Sequence, residues 1–268
     1  MSKLENLKQD LAGRFDIRNY EFSNAIGDDV LVLPKQDIVP VLRHFRDTGR
    51  FDFLMDICGV DWPKREKRFD VVYHLFSSKD GSRLRVKVPL AEGESVESVI
   101  GVWKGADWFE REAYDMFGIR FDNHPNLRKI LTHHQFVGHP LRKDYEADAQ
   151  QHCDSVLPVH FDNVEGQRGD VLNGNLIPLN IGPSHPAMHG TLRVMAEMDG
   201  ETIVRAHPEI GYLHRCFEKM AETHPYNQVI PYTDRLNYCS APSNNVGYCK
   251  ASKNCWGSRS RPRRRRCA

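Results

Sequence analysis

Apolar residues first recur at a helical interval. Leu4, Leu7 and Leu11 stand three and four residues apart and predict a short N-terminal helix. A second helix is expected after Asp37, a residue type suited to capping, with Val39, Leu42 and Phe45 on its buried side. From Phe51 to Leu90 the pattern changes to apolar runs of strand length, FDFLMDICGVDW and FDVVYHLFS. Lys79-Asp80-Gly81 supplies a hairpin turn, after which Leu84, Val86 and Val88 alternate with Arg83, Arg85 and Lys87. That alternation predicts a sheet with one wet face. Helices are expected again in SVESVIGVW and DWFEREAYDMFG, the second capped by Asp107 and ended by Gly118. HPNLRKILTHHQFVGHPLRKDY reads as irregular, proline-punctuated chain.

These elements predict an α+β fold. Residues 1–145 form an N-terminal α/β scaffold domain with a mostly antiparallel sheet, and the polar, turn-rich residues 146–172 form a linker. A second module spans 173–250. Its Asn173-Gly174 precedes a strand through Leu179, and LRVMAEM and ETIVRA are expected to pair across Asp199-Gly200. YLHRCFEKMAE has helical spacing from Tyr212 onward, and another helix is expected near Pro231 with the proline in its first turn. The module is therefore a small β-hairpin region leading into helices of an incomplete helical domain.

Composition narrows the function classes. No apolar run approaches the ~20 residues that span a bilayer, and the N-terminus lacks the apolar core of a signal peptide. The expectation is a cytoplasmic protein, or one held at a membrane by partners. Seven cysteines are scattered without a C-x-x-C pair, which argues for reduced thiols and against a metal or cluster site built by this chain alone. Six arginines lie in the last ten residues, so the rest of the chain is mildly acidic and offers no general nucleic-acid surface.

The candidate chemistry lies between Asn180 and Tyr238. NIGPSHPAMHG places His185 and His189 on a turn broken by Pro186 and closed by Gly190, and Tyr238 lies in a polar run further on. An imidazole and a phenol can hydrogen-bond and protonate an oxygen that is gaining electrons. An isolated H-P-x-x-H would more simply satisfy neighbouring backbone. Glu110, Arg111, Glu112 and Asp115 form a charged run on a predicted helix, which reads as a solvated or salt-bridged face and is assigned no catalytic role.

Two parts of the chain resemble two subunits of the bacterial proton-pumping NADH:quinone oxidoreductase, respiratory complex I. EREAYDMFGIRFDNHPNLRKIL and GHPLRKDY are similar to the signature of the C subunit, the 30-kDa type. GPSHPAMHG, GYLHRCFEK and IPYTDRLNY are similar to the opening of the D subunit, the 49-kDa type, so the chain resembles the fused C/D form. The resemblance implies a docking scaffold in the first domain and part of a quinone headgroup site in the second. It implies His189 and Tyr238 as the donors to the quinone oxygens, with His185 in the same turn as a further candidate. Arg215 would approach the terminal iron–sulfur cluster of a partner subunit, or serve as a plain surface cation. Quinone would be the substrate, while NADH, FMN and the clusters would sit on partner subunits of the peripheral arm, beside membrane-arm subunits, at the cytoplasmic side of the inner membrane. Fused chains of this kind also resemble subunits of energy-converting hydrogenase or formate-oxidising complexes, and a non-catalytic assembly role is a third reading. The related nickel–iron hydrogenases carry a C-x-x-C pair where this chain has Asn237 and Ser240, poor ligands for a soft metal.

After Tyr248 the resemblance implies a helix beginning close to AVEKLLG, where this chain has ASKNCWG. Deleting one nucleotide after the alanine codon of such a segment can yield ASKNCW. Residues 251–268 are therefore read as a frameshifted tail, which would leave the isolated chain inactive and its helical domain unfinished. The competing reading is a basic tail for RNA or acidic lipid.

Overall fold

The structure is a computed structural model and describes residues 3–25, 27–149, 151–153, 176–186 and 190–255. It divides into two compact units, residues 1–214 and 215–268. The expected α+β class holds. The first unit opens with α1 (Lys3–Ala12), which buries Leu7 and Leu11 as the leucine spacing predicts. Two short strands, β1 (Glu21–Ala25) and β2 (Asp28–Val32), form a hairpin that the hydrophobic pattern does not announce. Helix α2 (Ile38–Asp47) buries Val41, Leu42 and Phe45. Asp37 stands at its N-cap position but makes no capping bond, because a preceding 3-10 turn leaves it in helical rather than extended backbone.

Strands β3 (Phe53–Asp61), β4 (Phe69–Phe76) and β5 (Arg83–Leu90) follow as antiparallel neighbours. The sheet order is β1-β2-β5-β4-β3, with β2 and β5 parallel. The wet face is real along β5, where Leu84, Val86, Val88 and Leu90 are buried and Arg83 is exposed. It fails at β4, where Phe69 to Tyr73 are all buried, so both faces are covered there. One cover comes from the turn after β3, whose Trp62 Nε1 donates to the Asp70 carboxylate at 3.0 Å.

SVESVIGVW is not a helix. Its start is β6 (Ser95–Glu97), paired in parallel with β7 (Arg120–Asp122), and the remainder is turns. The reason is non-local. The next helix, α3 (Ala106–Phe117), turns the Glu110 carboxylate onto the Val99 amide and the Ser98 hydroxyl, both at 2.7 Å. Those donors are thereby taken out of any local helix. Gly105, not Asp107, occupies the cap position of α3, and Gly118 ends it in left-handed backbone with its N–H on the Tyr114 carbonyl.

Also in this unit, β8 (Ile177–Ile181), β9 (Arg193–Asp199) and β10 (Thr202–Glu209) make an antiparallel meander with β9 in the middle. The expected hairpin across Asp199-Gly200 is present. In the second unit α4 (Phe217–Thr223) starts later than the spacing from Tyr212 implies, because Cys216 is in left-handed backbone. Leu213 is correspondingly exposed. Pro231 lies toward the C-terminal end of α5 (Tyr226–Thr233), whose N-cap is Pro225, and not in a first turn. Helix α6 (Ala241–Cys255) closes the description, and most of the expected linker and tail lie outside the described residues.

Candidate functional site

The charged run on α3, expected as a solvated or salt-bridged face, is buried and hydrogen-bonded to backbone instead. Glu110 and Asp115 are fully buried and Arg111 nearly so, while Glu112 alone faces out. Arg111 and Asp115 are four residues apart and share one side of the helix. Asp115 Oδ2 accepts the amides of Ile130, Leu131 and Thr132 at 3.0, 2.8 and 2.9 Å, and Oδ1 accepts the Thr132 hydroxyl. Arg111 donates to the carbonyls of Arg128 and Lys129. Further along, His139 Nδ1 meets the Asp115 carbonyl and Arg142 Nε donates to the Phe117 carbonyl. The irregular chain from 128 to 142 is thus held by side chains of α3 and by its last carbonyls, in place of a ladder of its own. A loop with no internal ladder must find its partners this way. These residues are structural.

Burial dominates the electrostatics here. It pushes the Glu110 carboxyl up to about 7 against its two hydrogen bonds, with Asp107 and Glu97 adding repulsion. It pulls Arg111 and His139 below their ordinary values as well.

The same loop reaches β10. Arg128 Nη2 lies 2.8 Å from both ring nitrogens of His207, which burial and the guanidinium together bias to its neutral form. On β9 the buried Arg193 donates to Asn180 and Glu209, both at 2.9 Å, bracing the strand that leads into the histidine turn. In that turn Gly182 has φ 91°, and a Cβ there would meet the Leu192 carbonyl oxygen at 2.0 Å, so only glycine fits. His185 follows on the exposed side of the turn. His189 lies outside the described residues.

Tyr238 belongs to the second unit. It opens a 3-10 turn (Tyr238–Ser240) ahead of α6 and is 64% exposed. Asn244 from α6 holds this turn, donating to the carbonyls of Thr233 and Asn237 at 3.2 Å each. Thr233 and Asn245 add a 2.7 Å bond between α5 and α6. Arg215 is exposed just before α4. The sequence reading names Glu110 and Asp115 but not their anchoring role, and it does not name Arg128; the trace of that role is the shared helical side of Arg111 and Asp115.

Known proteins resemble this chain along most of its length. Residues 31–151 match the family model of the respiratory-chain NADH dehydrogenase 30-kDa subunit. A C/D subunit of NADH-quinone oxidoreductase from Bdellovibrio bacteriovorus is 72% identical over 94% of this chain and 45% of its own length. The C/D subunit of the same enzyme from Acidiphilium cryptum is 43% identical over 81% of this chain and 40% of its own length. A chain of the membrane-bound sulfane sulfur reductase, an archaeal respiratory membrane complex, superimposes with TM-score 0.46 at 26% identity, covering 53% of this chain and 84% of that one. The chain spans about half the length of the curated relatives it matches. With a 30-kDa-type domain in its first half and these relatives along nearly all of it, the chain belongs to the family of C/D subunits of NADH-quinone oxidoreductase.

Proposed function

We propose that this chain acts in a proton-translocating NADH:quinone oxidoreductase, as the peripheral-arm subunit that supplies a scaffold and part of the quinone headgroup site. The observation that carries the reading is the 72% identity to a C/D subunit, over an alignment that leaves too few residues outside it to miss either the histidine turn or the Tyr238 run. In this reading His189 and Tyr238 donate to the two quinone oxygens. Two-electron reduction puts negative charge on both oxygens, and donors at opposite ends of the ring stabilise and protonate them. His185, exposed and four residues before His189 in the sequence, is a further candidate donor to the headgroup. Arg215 stands toward the terminal iron–sulfur cluster of a neighbouring subunit, where a fixed cation stabilises the reduced, more negative state.

In this reading NADH, FMN and the clusters belong to partner subunits, and the cysteines of this chain have no cluster-binding spacing. No described helix is long and apolar enough to cross a membrane. The proposed location is the cytoplasmic face of the inner membrane, reached through membrane-arm partners. The test is made in the assembled complex of the full-length protein. Tyr238→Phe and His189→Ala should each lower quinone reduction at least tenfold and leave ferricyanide reduction by NADH unchanged. Equal quinone turnover in both variants and the parent would overturn the assignment and favour an inert scaffold.

A further inference from the structure

A cavity of about 310 Å³ lies where the start of α3, the loop before Ile130 and β10 meet, all within the first unit. Three arginines, Arg111, Arg128 and Arg205, are among the residues that line it, with one acid, Asp107. The hydrogen bonds that Arg111 and Arg128 make go to neutral groups. Arg111 gives its donors to two backbone carbonyls, and Arg128 gives Nη2 to His207. Arg128 Nε is buried with no hydrogen-bond partner among the described residues. A charged donor left unmatched in a partly desolvated site is costly and calls for an acceptor.

The nearby acids do not meet that need. Glu209 is committed to Arg193 at 2.9 Å, and Glu197 lies 3.6 Å from Arg205 on the strand pair. Asp107 Oδ1 lies 3.3 Å from His124 Nε2 and, like Arg128 Nε, accepts or makes no hydrogen bond among the described residues. With Arg205 beside Glu197, the lining still sets two arginines, Arg111 and Arg128, against the one carboxylate of Asp107. Trp108 also lines it and remains 44% exposed, although it is a large apolar ring. Tryptophan beside arginine in a concave, partly dry pocket is the composition of an anchor point in a protein interface. A free inorganic ion would satisfy the guanidiniums and leave the ring uncovered.

We propose that this cavity receives an acidic side chain, glutamate or aspartate, from a segment of another polypeptide, with Arg128 as its charge anchor and Trp108 covering its stem. This interaction surface does not rest on the quinone reading, and its test uses no redox assay. The full chain is titrated with a fluorescein-labelled, amidated hexapeptide of alternating glutamate and alanine, and with its glutamine counterpart, at fixed ionic strength. The glutamate peptide should bind at least tenfold more tightly than the glutamine peptide. Arg128→Gln should weaken it at least tenfold, while Arg83→Gln, a surface arginine on β5, should not change it. Trp108→Ala, at an exposed position that truncation leaves folded, should weaken it several-fold.

The proposal is overturned by no binding, equal binding of the two peptides, equal loss in the Arg128 and Arg83 variants, or no loss on Trp108→Ala. Displacement by sodium phosphate at matched ionic strength would overturn it in favour of a simple ion site.

Discussion

Asp115 holds Thr132 twice, taking its amide through Oδ2 at 2.9 Å and its hydroxyl through Oδ1 at 2.6 Å. The same Oδ2 also takes the amides of Ile130 and Leu131. A fully buried carboxylate with four donors around it replaces the ladder the loop lacks. Asp115→Asn keeps the shape but turns an amide nitrogen toward donors, so unmet buried donors should cost about 2–4 kcal/mol. Urea unfolding of the chain would show the lowered midpoint. A change below about 0.5 kcal/mol would mean that the loop is held mainly by Arg111 and His139.

Glu110 makes stability depend on pH in a direction unusual for a carboxylate. Its folded value is raised from 4.5 to about 7 by burial, so the folded state binds the proton more tightly than the unfolded chain. Its contribution is fully present below about pH 4.5 and is lost as pH rises through 7, a loss of about 3 kcal/mol at most by the linkage relation. His124, buried nearby with its own value lowered, works the other way, gaining stability as pH rises toward 6.5. Glu110→Gln removes the first effect and keeps the second. Between pH 5 and 7.5 the urea midpoint of the parent should therefore fall relative to that of the variant, and parallel curves would contradict the assignment.

Gly182 and Gly190 close the two ends of the histidine turn, and their surroundings differ. Both have φ 91°, but a Cβ at Gly190 meets open space while one at Gly182 meets the Leu192 carbonyl oxygen at 2.0 Å. Gly190→Ala should cost about 1–2 kcal/mol, the penalty of left-handed backbone alone. Gly182→Ala must also push β9 off β8, so a loss of about 3 kcal/mol or more is expected. Equal losses in thermal or urea unfolding would show that the strand yields without cost.

The contrast between what the sequence carries and what it hides follows the range of the interactions. Leu84, Val86 and Val88 are buried as their alternation implies, and Leu7 and Leu11 as their spacing implies, because the burying surface repeats with the local period. Ser98 and Val99 have helical patterning, yet Glu110, eleven residues beyond Val99, claims their donors. Glu110, Arg111 and Asp115 read as a wet face because charge is the local signal; the burial of Arg111 and Asp115 depends on the loop from 128 to 132 folding onto them. His185 and Tyr238 are exposed, and nothing in their local sequence fixes that placement. Arg128 and His207 are 79 residues apart, and no period or motif joins them.

Asn244 separates positioning from chemistry in the proposed quinone site. Its side-chain nitrogen donates to the Thr233 and Asn237 carbonyls, tying the end of α5 to the turn that presents Tyr238. Asn244→Ala keeps the phenol but frees its support, so in the assembled complex quinone reduction should fall about fivefold, the equivalent of about 1 kcal/mol for a lost hydrogen-bonding group. Asn244→Asp keeps the size and removes the donor, and should lose as much. Ferricyanide reduction by NADH should hold in both variants if, as proposed, the phenol acts only at the quinone end. In a Tyr238→Phe background, adding Asn244→Ala should cause no further loss, since no phenol remains to be positioned. An undiminished fivefold loss in that background would show that Asn244 supports the fold of this unit generally and has no particular tie to Tyr238.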